Sequence, residues 1–259
     1  WRQVKPSGRL QTTPQSLDIV VPTLNEAPRL PGFFDKLETA VDALGDLPVR
    51  VVVVDAGSSD NTVALARERG VHVLTEAPLG RGRQLARGIA AGNGQLVLML
   101  HADAGIQPAA LTRLRRQLRR HPDIEWGALG HVYAERPWRL RLIEFSNRAR
   151  LHLGGVAFGD QGIFVRRDAL DRIGGMPPVK LMEDIELSLR LTGHNCRVSL
   201  GAGLVVSTRH WRKSGYRNYM KEVLRLSFKY LLRRTLGADI IPLTNTLYDQ
   251  YYGPADVPE

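Results

Sequence analysis

A histidine and an aspartate end an apolar run in the stretch QLVLMLHADAGI at residues 95–106. An apolar run of this length between glycine-containing turns predicts a strand buried on both faces of a parallel sheet. Ligands of such sheets bind beyond the carboxyl ends of the strands, where His101 and Asp103 would lie. The carboxylate of Asp103 could hold a metal or a polar ligand there. The alternative is that Asp103 only caps a helix beginning near Pro108.

A second acid, Asp55, ends the apolar run RVVVVD at residues 50–55. If both runs are strands of one parallel sheet, Asp55 and Asp103 lie at the same edge. The two acids would then face one crevice.

The glycine-rich stretch GRGRQL at residues 80–85 resembles the start of a dinucleotide-binding fingerprint, but Leu85 occupies the place of the third glycine. We instead expect a flexible loop whose arginines, Arg81 and Arg83, could grip a diphosphate. Surface arginines without a ligand are the alternative.

A polar pair, Asp160 and Gln161, stands between glycines inside the run GVAFGDQGIFVR at residues 155–166. The pattern predicts a strand with a bulge where a ligand comes close. A plain hairpin turn is the alternative.

Two adjacent acids, Glu183 and Asp184, lie in the first turn of a helix predicted from Leu181, whose apolar positions are Leu181, Ile185 and Leu189. The helix dipole favours acids in a first turn whatever the function. The same dipole would keep a carboxylate ionised, as required of a general base that takes a proton from an alcohol.

Strands and helices that alternate along the chain must position these residues. Strands are predicted at residues 17–22, 50–55, 71–74, 95–106, 125–133, 155–166, 196–200 and 204–207, and helices at residues 30–44, 60–70, 111–120, 138–153, 181–193 and 216–236. Strand and helix in this alternation are typical of an α/β protein with a mostly parallel, doubly wound sheet.

The last predicted helix, at residues 216–236, combines an apolar stripe with lysines and arginines. The stripe contains Tyr216, Tyr219, Val223, Leu226 and Tyr230, widened by Met220, Leu224, Phe228 and Leu231. Such a helix can pack on its own domain, on a twin subunit, or on an anionic membrane.

The composition is that of a globular protein with a basic balance. In 259 residues, 36 lysines and arginines against 26 acids give a net charge of +10, which favours an anionic partner. Nucleic acid is disfavoured, because the acids named above would repel phosphate. No apolar run approaches the roughly 20 residues of a membrane span. Because Cys196 is the only cysteine, an internal disulfide is excluded and a cytoplasmic setting is expected.

The N-terminal stretch, residues 1–16, has no apolar segment and is interpreted as a loose leader, not a signal peptide. Because the chain begins at Trp1 and not at Met, we expect that an upstream segment has been removed or left out.

Six ordered motifs resemble inverting glycosyltransferases of family 2 with the GT-A fold. They are VVPTLNEA at residues 20–27, VVVVDAGSSDNT at 51–62, GRGRQLARG at 80–88, LHADA at 100–104, FGDQGIFVRR at 158–167 and MEDIELSLRL at 182–191. The combination of HAD, GDQG and MEDIELS is most similar to the small bacterial subgroup named for arsenosugar biosynthesis.

This resemblance implies a nucleotide-sugar site. Pro22, Thr23 and Glu26 would line the nucleotide pocket, Asp55 would bond the base, expected to be uracil, and Arg81 or Arg83 would hold the diphosphate. Asp103 matches the last acid of the DxD motif of the family, which binds a divalent cation on the diphosphate. His101 replaces the first acid, which leaves metal dependence open and suits Mn²⁺ better than Mg²⁺. His210 is a further candidate ligand, with an ordinary histidine as the alternative.

The resemblance also assigns the catalytic residues. Asp184, with Glu183 beside it, would be the base, and Asp160 and Gln161 would orient the donor sugar or the acceptor. Larger relatives carry Gln-x-x-Arg-Trp where this chain has STRHW at residues 207–211, which ends in Trp211. That difference indicates transfer of a single sugar instead of polymer synthesis.

The resulting expectation is a glycosyltransferase domain at residues 17–211, with a nucleotide-binding half at 17–106, an acceptor half at 107–211 and a basic helix and tail at 212–259. The expected partners are a nucleotide-sugar donor and a small-molecule or lipid-linked acceptor, with peripheral contact at the inner membrane face and a homodimer left open. The alternatives are a polyprenyl-phosphate glycosyltransferase at the membrane surface and a sugar nucleotidyltransferase. The latter would need a glycine-rich phosphate loop after the first strand, where TLNE stands at residues 23–26.

Overall fold

Apolar strands and amphipathic helices alternate through most of the chain, which a computed structural model describes at residues 12–76, 80–135, 138–192, 197–206 and 216–252. Within these residues the strands are β1 (Leu17–Thr23), β2 (Val49–Asp55), β3 (His72–Thr75), β4 (Leu96–Met99), β5 (Gly105–Ile106), β6 (Trp126–Ala128), β7 (His131–Tyr133), β8 (Ile163–Arg166), β9 (Arg197–Ser199) and β10 (Leu204–Val206). The α-helices are α1 (Leu30–Asp42), α2 (Thr62–Glu68), α3 (Arg81–Ala90), α4 (Ala110–Arg120), α5 (Trp138–Ala149), α6 (Arg167–Arg172), α7 (Glu183–Leu191), α8 (Tyr216–Thr235) and α9 (Ile240–Tyr252). A π-helical turn at Arg150–Gly154 and a 3-10 turn at Gly159–Gln161 complete the regular elements.

The central sheet has seven strands in the order β3-β2-β1-β4-β8-β6-β9. Every neighbouring pair is parallel except those that involve β8, which runs antiparallel to β4 and to β6. The predicted mostly parallel α/β sheet is therefore confirmed. The carboxyl ends of β2, β1 and β4 follow one another along a single edge.

Helices cover the sheet on both faces, which explains why its strands are apolar without alternation. On one face Ile19 of β1 packs in the same buried cluster as Phe34 of α1. On the other face Val20 packs in the cluster that contains Leu85 and Ile89 of α3.

Two of the predicted strands are in fact divided between two sheets. The strand predicted at residues 95–106 ends at Met99, and β5 belongs to a three-stranded sheet of order β5-β10-β7. The strand predicted at residues 125–133 is split into β6, in the central sheet, and β7, in the small one. Gly130, at φ +74°, lies at this division, and a Cβ there would collide with the backbone of Gly201.

The strand predicted over residues 155–166 is shorter than expected, and its polar pair forms neither a bulge nor a hairpin turn. Only Ile163–Arg166 is extended, while Gly159–Gln161 is a 3-10 turn. The side chain of Gln161 stabilises this turn, because its Oε1 accepts a hydrogen bond from the N–H of Phe158 at 3.0 Å.

The C-terminal helix predicted at residues 216–236 is confirmed as α8, and one face of it packs on its own domain. Leu226 and Tyr230 are buried with Ile185 of α7 and Leu247 of α9. Leu224, Phe228 and Leu231, which were predicted to widen the buried stripe, are exposed. The sequence did not lead us to predict α9, whose first turn contains Pro242 and whose residue Ile241 donates its N–H to Asp239 Oδ1.

A buried carboxylate joins α8 to α7. Glu186 is 2% exposed. It accepts hydrogen bonds from the hydroxyl of Tyr230 at 2.5 Å, from Nε of Arg234 at 2.6 Å and from Nε of Arg190 at 2.9 Å. These hydrogen bonds hold the pKa of Glu186 below its usual value against the opposing effect of burial.

Candidate active site

The candidate base, Asp184, lies in the first turn of α7, as predicted, and two backbone N–H groups hold it. Gly159 donates to Oδ2 at 2.7 Å and Ile185 donates to Oδ1 at 2.7 Å. Burial raises the pKa of Asp184, and these two hydrogen bonds oppose the rise. Each carboxylate oxygen keeps capacity for a further hydrogen bond.

The neighbouring acid, Glu183, is 2% exposed and lies 3.4 Å from Nη1 of Arg81. Burial raises the pKa of Glu183 to about 7; Arg81 opposes this rise, and the charge of Asp184 adds to it. Near neutral pH, Glu183 therefore exists in both its protonated and its ionised form.

His101 follows β4 and faces the same turn as Asp184. A Cβ added to Gly159 would lie 2.8 Å from Nε2 of His101 and 3.6 Å from Oδ2 of Asp184, so both side chains border this glycine. Burial, and next the positive charge of Arg81, lower the pKa of His101 to about 4. The imidazole is therefore neutral at physiological pH and offers a lone pair.

Asp103, two residues further on, is exposed, and no hydrogen bond or ion pair to its carboxylate is found in the part of the chain that the structure describes. An exposed carboxylate and a neutral imidazole fit a divalent cation that takes its remaining ligands from a diphosphate. No group of three or more metal-binding side chains occurs among the described residues.

The glycine-rich stretch was predicted to be a flexible loop, and this prediction is wrong, because residues 81–90 form α3. The N-terminus of α3 packs against the segment before α7. The N–H of Gly82 donates to the carbonyl of Val179 at 3.1 Å, and a Cβ on Gly82 would lie 2.4 Å from that oxygen. The N-terminus of α3, with the positive end of its dipole and with Arg81, thus faces the N-terminus of α7, an arrangement that suits an anion.

Arg83, the second predicted diphosphate ligand, is oriented differently from Arg81. Its Nε donates to the carbonyl of Pro178 at 3.4 Å. Gln84, one residue later, is buried and donates to the carbonyls of Thr23 and Val54 at 3.0 and 2.8 Å. It therefore fixes α3 beneath the carboxyl ends of β1 and β2.

Asp55 lies at the edge of the sheet where it was predicted, but its carboxylate already has a full set of partners. Oδ1 accepts from the N–H groups of Gly57 and Ser58, and Oδ2 accepts from the hydroxyls of Thr23 and Ser58. A carboxylate has about four acceptor positions. Binding a base at Asp55 therefore requires one of these partners to move.

The loops after β1 and β2 are tied to each other by hydrogen bonds between side chains and backbone. The N–H of Glu26 donates to the hydroxyl of Thr62 at 2.8 Å, and the N–H of Ala27 donates to Oδ2 of Asp60 at 3.1 Å. The carboxylate of Glu26 pairs with Arg29 at 2.7 Å, and Pro22 is half-buried at the end of β1. The predicted nucleotide-pocket residues thus share one preorganised rim.

The remaining predicted residues divide into three groups. Gln161 is buried and serves the 3-10 turn, while Asp160 lies beside His131, with 3.7 Å between Oδ1 and Nδ1. His210 and Trp211 lie outside the described residues. The structure therefore gathers Arg81, His101, Asp160, Glu183 and Asp184 around Gly159, with Asp103 following His101 in the chain.

Sequence reasoning missed two side chains beside this cluster, His131 and Arg150. Arg150 stacks its guanidinium 3.6 Å above the ring of Phe158. Burial lowers the pKa of Arg150, against the opposing charges of Asp160 and Asp184. His131 is 4% exposed, on a short strand that had been predicted as part of a longer one. Neither residue lies in a motif, so only the tertiary structure identifies them.

The sequence matches the family described as Glycosyl transferase family 2 over residues 18–174. A curated relative, the undecaprenyl-phosphate 4-deoxy-4-formamido-L-arabinose transferase of Sodalis glossinidius (strain morsitans), is 29% identical over 165 residues, or 60% of this chain. The match spans only 50% of that relative's length.

Solved structures share the fold at low sequence identity. The mannosyltransferase PcManGT of Pyrobaculum calidifontis, in complex with GDP-Man and Mn²⁺, has a TM-score of 0.63 and 18% identity, covering 98% of this chain and 76% of that one. S. aureus TarS in complex with UDP has a TM-score of 0.60 and 17% identity, covering 74% and 60%. Glucosyl-3-phosphoglycerate synthase of Mycobacterium tuberculosis, in complex with Mn²⁺, UDP and glucosyl-3-phosphoglycerate, has a TM-score of 0.53 and 21% identity, covering 73% and 71%. These likenesses confirm the predicted GT-A fold.

Proposed function

The chain belongs to glycosyl transferase family 2 and is a glycosyltransferase; on this premise we propose that it moves one sugar, with inversion, from a UDP-linked donor to a hydroxyl acceptor. The motifs HAD, GDQG and MEDIELS favour the arsenosugar-type subgroup within this family. The observation that carries the proposal is the half-buried carboxylate of Asp184, which two N–H groups hold beside His101 and Arg81.

In the proposed step the acceptor oxygen attacks the anomeric carbon from the face opposite the nucleotide. The new carbon–oxygen bond forms as the bond to the diphosphate breaks, and the electron pair of that bond leaves with the diphosphate. Asp184 takes the proton of the acceptor hydroxyl. Its raised pKa brings the carboxylate closer to the strength that a base needs near neutral pH.

The leaving diphosphate would sit beside Arg81 at the N-terminus of α3. Arg81 and the positive end of the α3 helix dipole can oppose its charge. Asp103, with the neutral imidazole of His101, would hold a divalent cation, and Mn²⁺ suits this pair better than Mg²⁺. Such a cation would supply neutralisation of the charge that builds on the diphosphate. The Mn²⁺ complexes of two structural neighbours support this assignment.

The nucleotide would lie over the rim formed by the loops after β1 and β2. For Asp55 to bond a uracil N–H, the hydroxyl of Ser58 is the partner that can turn away most easily, since it needs only a side-chain rotation. A neighbour bound to UDP supports the uracil assignment, and a neighbour bound to GDP-Man makes guanine the alternative to test.

Substitution of Asp184 by Asn tests the function directly. Wild-type protein with Mn²⁺ should gain thermal stability from UDP or a UDP-sugar and should transfer that sugar. Asp184→Asn should lower transfer about 10²- to 10⁴-fold while binding UDP within about tenfold, because a base serves the chemistry more than donor affinity. Asp168→Asn on α6 is the surface control. Equal loss of transfer and UDP binding would contradict the role of Asp184, and a response to GDP-sugars alone would contradict the uracil assignment.

A second candidate, a polyprenyl-phosphate glycosyltransferase at the membrane surface, is favoured by an exposed apolar and basic face. Exposed apolar side chains lie along α8, where Phe228 is 67% and Leu224 is 60% exposed, and along α5, where Trp138 is 67% exposed. Exposed cations accompany them on α8 at Lys221, Arg225 and Arg233. An interfacial helix buries such a face among lipid headgroups. No helix in the described residues is long and apolar enough to cross a membrane.

A further inference from the structure

Three buried polar atoms beside the proposed base have no hydrogen-bond partner among the residues that the structure describes. They are Nδ1 of His131, Oδ1 of Asp160 and Nη2 of Arg150. Buried polar atoms in proteins are nearly always paired, so a cluster of unpaired ones marks a place for a ligand or a water molecule. None of the three atoms is needed for the step assigned to Asp184.

Two of the three atoms lie close together, and the third belongs to a side chain near enough to respond to the charge of Asp160. Nδ1 of His131 lies 3.7 Å from Oδ1 of Asp160, too far for a hydrogen bond but close enough for one oxygen atom to contact both. Gly159, the residue before Asp160, donates its N–H to Asp184 at 2.7 Å. Arg150 feels the charges of both Asp160 and Asp184. The gap therefore adjoins the base.

The neighbours of His131 indicate which of its ring nitrogens carries the proton. Nδ2 of Asn147, an amide donor, lies 3.5 Å from Nε2 of His131; a hydrogen bond between them requires Nε2 to accept, which assigns the ring proton to Nδ1. The ring of Tyr133 packs edge-on at 5.0 Å and fixes the orientation of the imidazole. The gap thus presents two donors, from His131 and Arg150, and one acceptor, from Asp160.

Two donors and one acceptor complement a hydroxyl group, which both accepts and donates. An ionised phosphate ester offers only acceptors and would leave Oδ1 of Asp160 unpaired. It would also meet the negative charges of Asp160 and Asp184, which are partly offset by Arg150. The arrangement therefore favours a neutral alcohol over an anionic acceptor.

We propose that His131, Arg150 and Asp160 form a subsite that anchors one hydroxyl of a polyol acceptor, while a neighbouring hydroxyl of the same molecule reacts. The anchored hydroxyl gives its hydrogen bond to Asp160 and keeps its proton, so it is not the nucleophile. The neighbouring hydroxyl loses its proton to Asp184 and forms the new bond to the anomeric carbon as the bond to the diphosphate breaks. This inference rests on the proposed function and narrows its acceptor to uncharged molecules with at least two adjacent hydroxyls.

Small alcohols test the subsite without knowledge of the natural acceptor. Release of nucleoside diphosphate is measured with the nucleotide sugar that most stabilises the wild type, and the rate in water alone is subtracted. The probes are 1,2-propanediol, 1-propanol and inorganic phosphate. The wild type should prefer the diol to the mono-alcohol about tenfold or more, because only the diol can fill the gap and react. Phosphate should neither accelerate release nor compete with the diol.

Asp160→Ala should reduce the diol preference close to one while leaving the KM for the donor within about twofold. His131→Asn and Arg150→Lys should reduce it as well, and the 15N signals of the His131 ring should shift when diol is added to the wild type. Asp168→Ala, which removes an exposed acid paired with Arg172, is the matched control and should keep the wild-type preference.

Each contrary outcome has a separate meaning. An unchanged preference in Asp160→Ala would mean that the gap holds a structural water, and a rise in donor KM would mean that it binds the donor sugar. Competition by phosphate would make it an anion site. Each of these overturns the subsite alone, whereas a wild type that releases no nucleotide from any UDP- or GDP-sugar overturns the proposed function and the subsite together.

Discussion

Two adjacent carboxylates at the start of α7 have different surroundings and therefore different chemical properties. Glu183 faces Arg81 in a buried setting, and its pKa is raised to about 7. Asp184 is held by backbone N–H groups and adjoins the gap at Asp160. The difference supports a division of labour, in which Asp184 takes the proton and Glu183 balances the charge of Arg81.

Glu183→Gln should show how much the ionisation of this buried carboxyl group lowers the stability of the folded protein. Since the pKa of Glu183 is about 7 in the folded state, against an ordinary value of 4.5, the folded protein holds this proton more tightly than the unfolded chain. Stability therefore falls as pH rises from about 4.5 to 7, by on the order of 3 kcal/mol. The amide has no such penalty, so the Tm of the variant relative to wild type should rise between pH 5 and pH 8.

Thermal melts at a series of pH values measure this difference, with Glu38→Gln on the exposed side of α1 as the control. A constant Tm difference across the range would mean that burial does not penalise the charge of Glu183.

At the residue scale, the sequence predicted the groups that lie in motifs and missed those brought in by tertiary packing. Asp103, His101 and Asp184 stand at the ends or starts of periodic elements, where the chain itself marks them. His131 and Arg150 reach the site through a small second sheet and a π-helical turn, neither of which has a local signature. The filled hydrogen-bonding positions of Asp55 also depend on a turn whose geometry only the structure gives.

Helix α3 is the element on which the site most depends, because its first turn supplies Arg81 and its underside packs on the strands. Close approach requires glycine at residue 88, where a Cβ would lie 2.4 Å from Cγ1 of Val20 and 2.8 Å from Cγ2 of Val54. The backbone of α3 at Gly88 therefore packs directly against the side chains of Val20 and Val54.

Gly88→Ala should destabilise the protein by about 1–3 kcal/mol, because the methyl group forces α3 away from β1 and β2. Gly32→Ala is the matched control, since Gly32 also lies in a helix but has nothing within 4 Å of an added Cβ. That control should be neutral or stabilise by up to about 1 kcal/mol. Urea unfolding of both variants measures the difference, and equal stability would mean that α3 can move away from the sheet without cost.

At the element scale, the sequence predicted strands correctly where each strand is covered by strands and helices that are close to it in the sequence. The runs that became β1, β2 and β3 pair with one another and are covered by α1, α2 and α3, so local pattern and tertiary position agree. It failed at residues 95–106 and 125–133, because the division of these runs between two sheets depends on partners such as β10, about 70 residues or more away.

The whole molecule carries a net charge of +10, and part of that charge lies beside exposed apolar side chains on α8. One face of α8 is used for packing on the domain, so the other is left for a partner. An anionic bilayer fits both the cations and the apolar side chains.

Co-sedimentation with vesicles should detect this contact. The protein should bind phosphatidylcholine vesicles that contain phosphatidylglycerol, bind pure phosphatidylcholine weakly, and lose binding as salt increases. Phe228→Ser should weaken binding about fivefold or more, and so should Arg225→Glu. Lys36→Glu on α1 changes the net charge equally and should have little effect. If Phe228→Ser instead converts a dimer in solution into monomers, the face is a subunit interface and the membrane assignment is wrong.

The hydrogen bonds that Glu186 accepts from α8 affect which shortened forms of this protein can fold correctly. A fragment ending before Tyr230 would leave Glu186, a buried anion two positions beyond Asp184, without the hydroxyl and the guanidinium that now donate to it. Such a truncation would disturb the first turn of α7, which carries the proposed base, as well as remove the end of α8 and α9. An active fragment would therefore have to retain these helices, and a partner that tilted them would shift α7 as well.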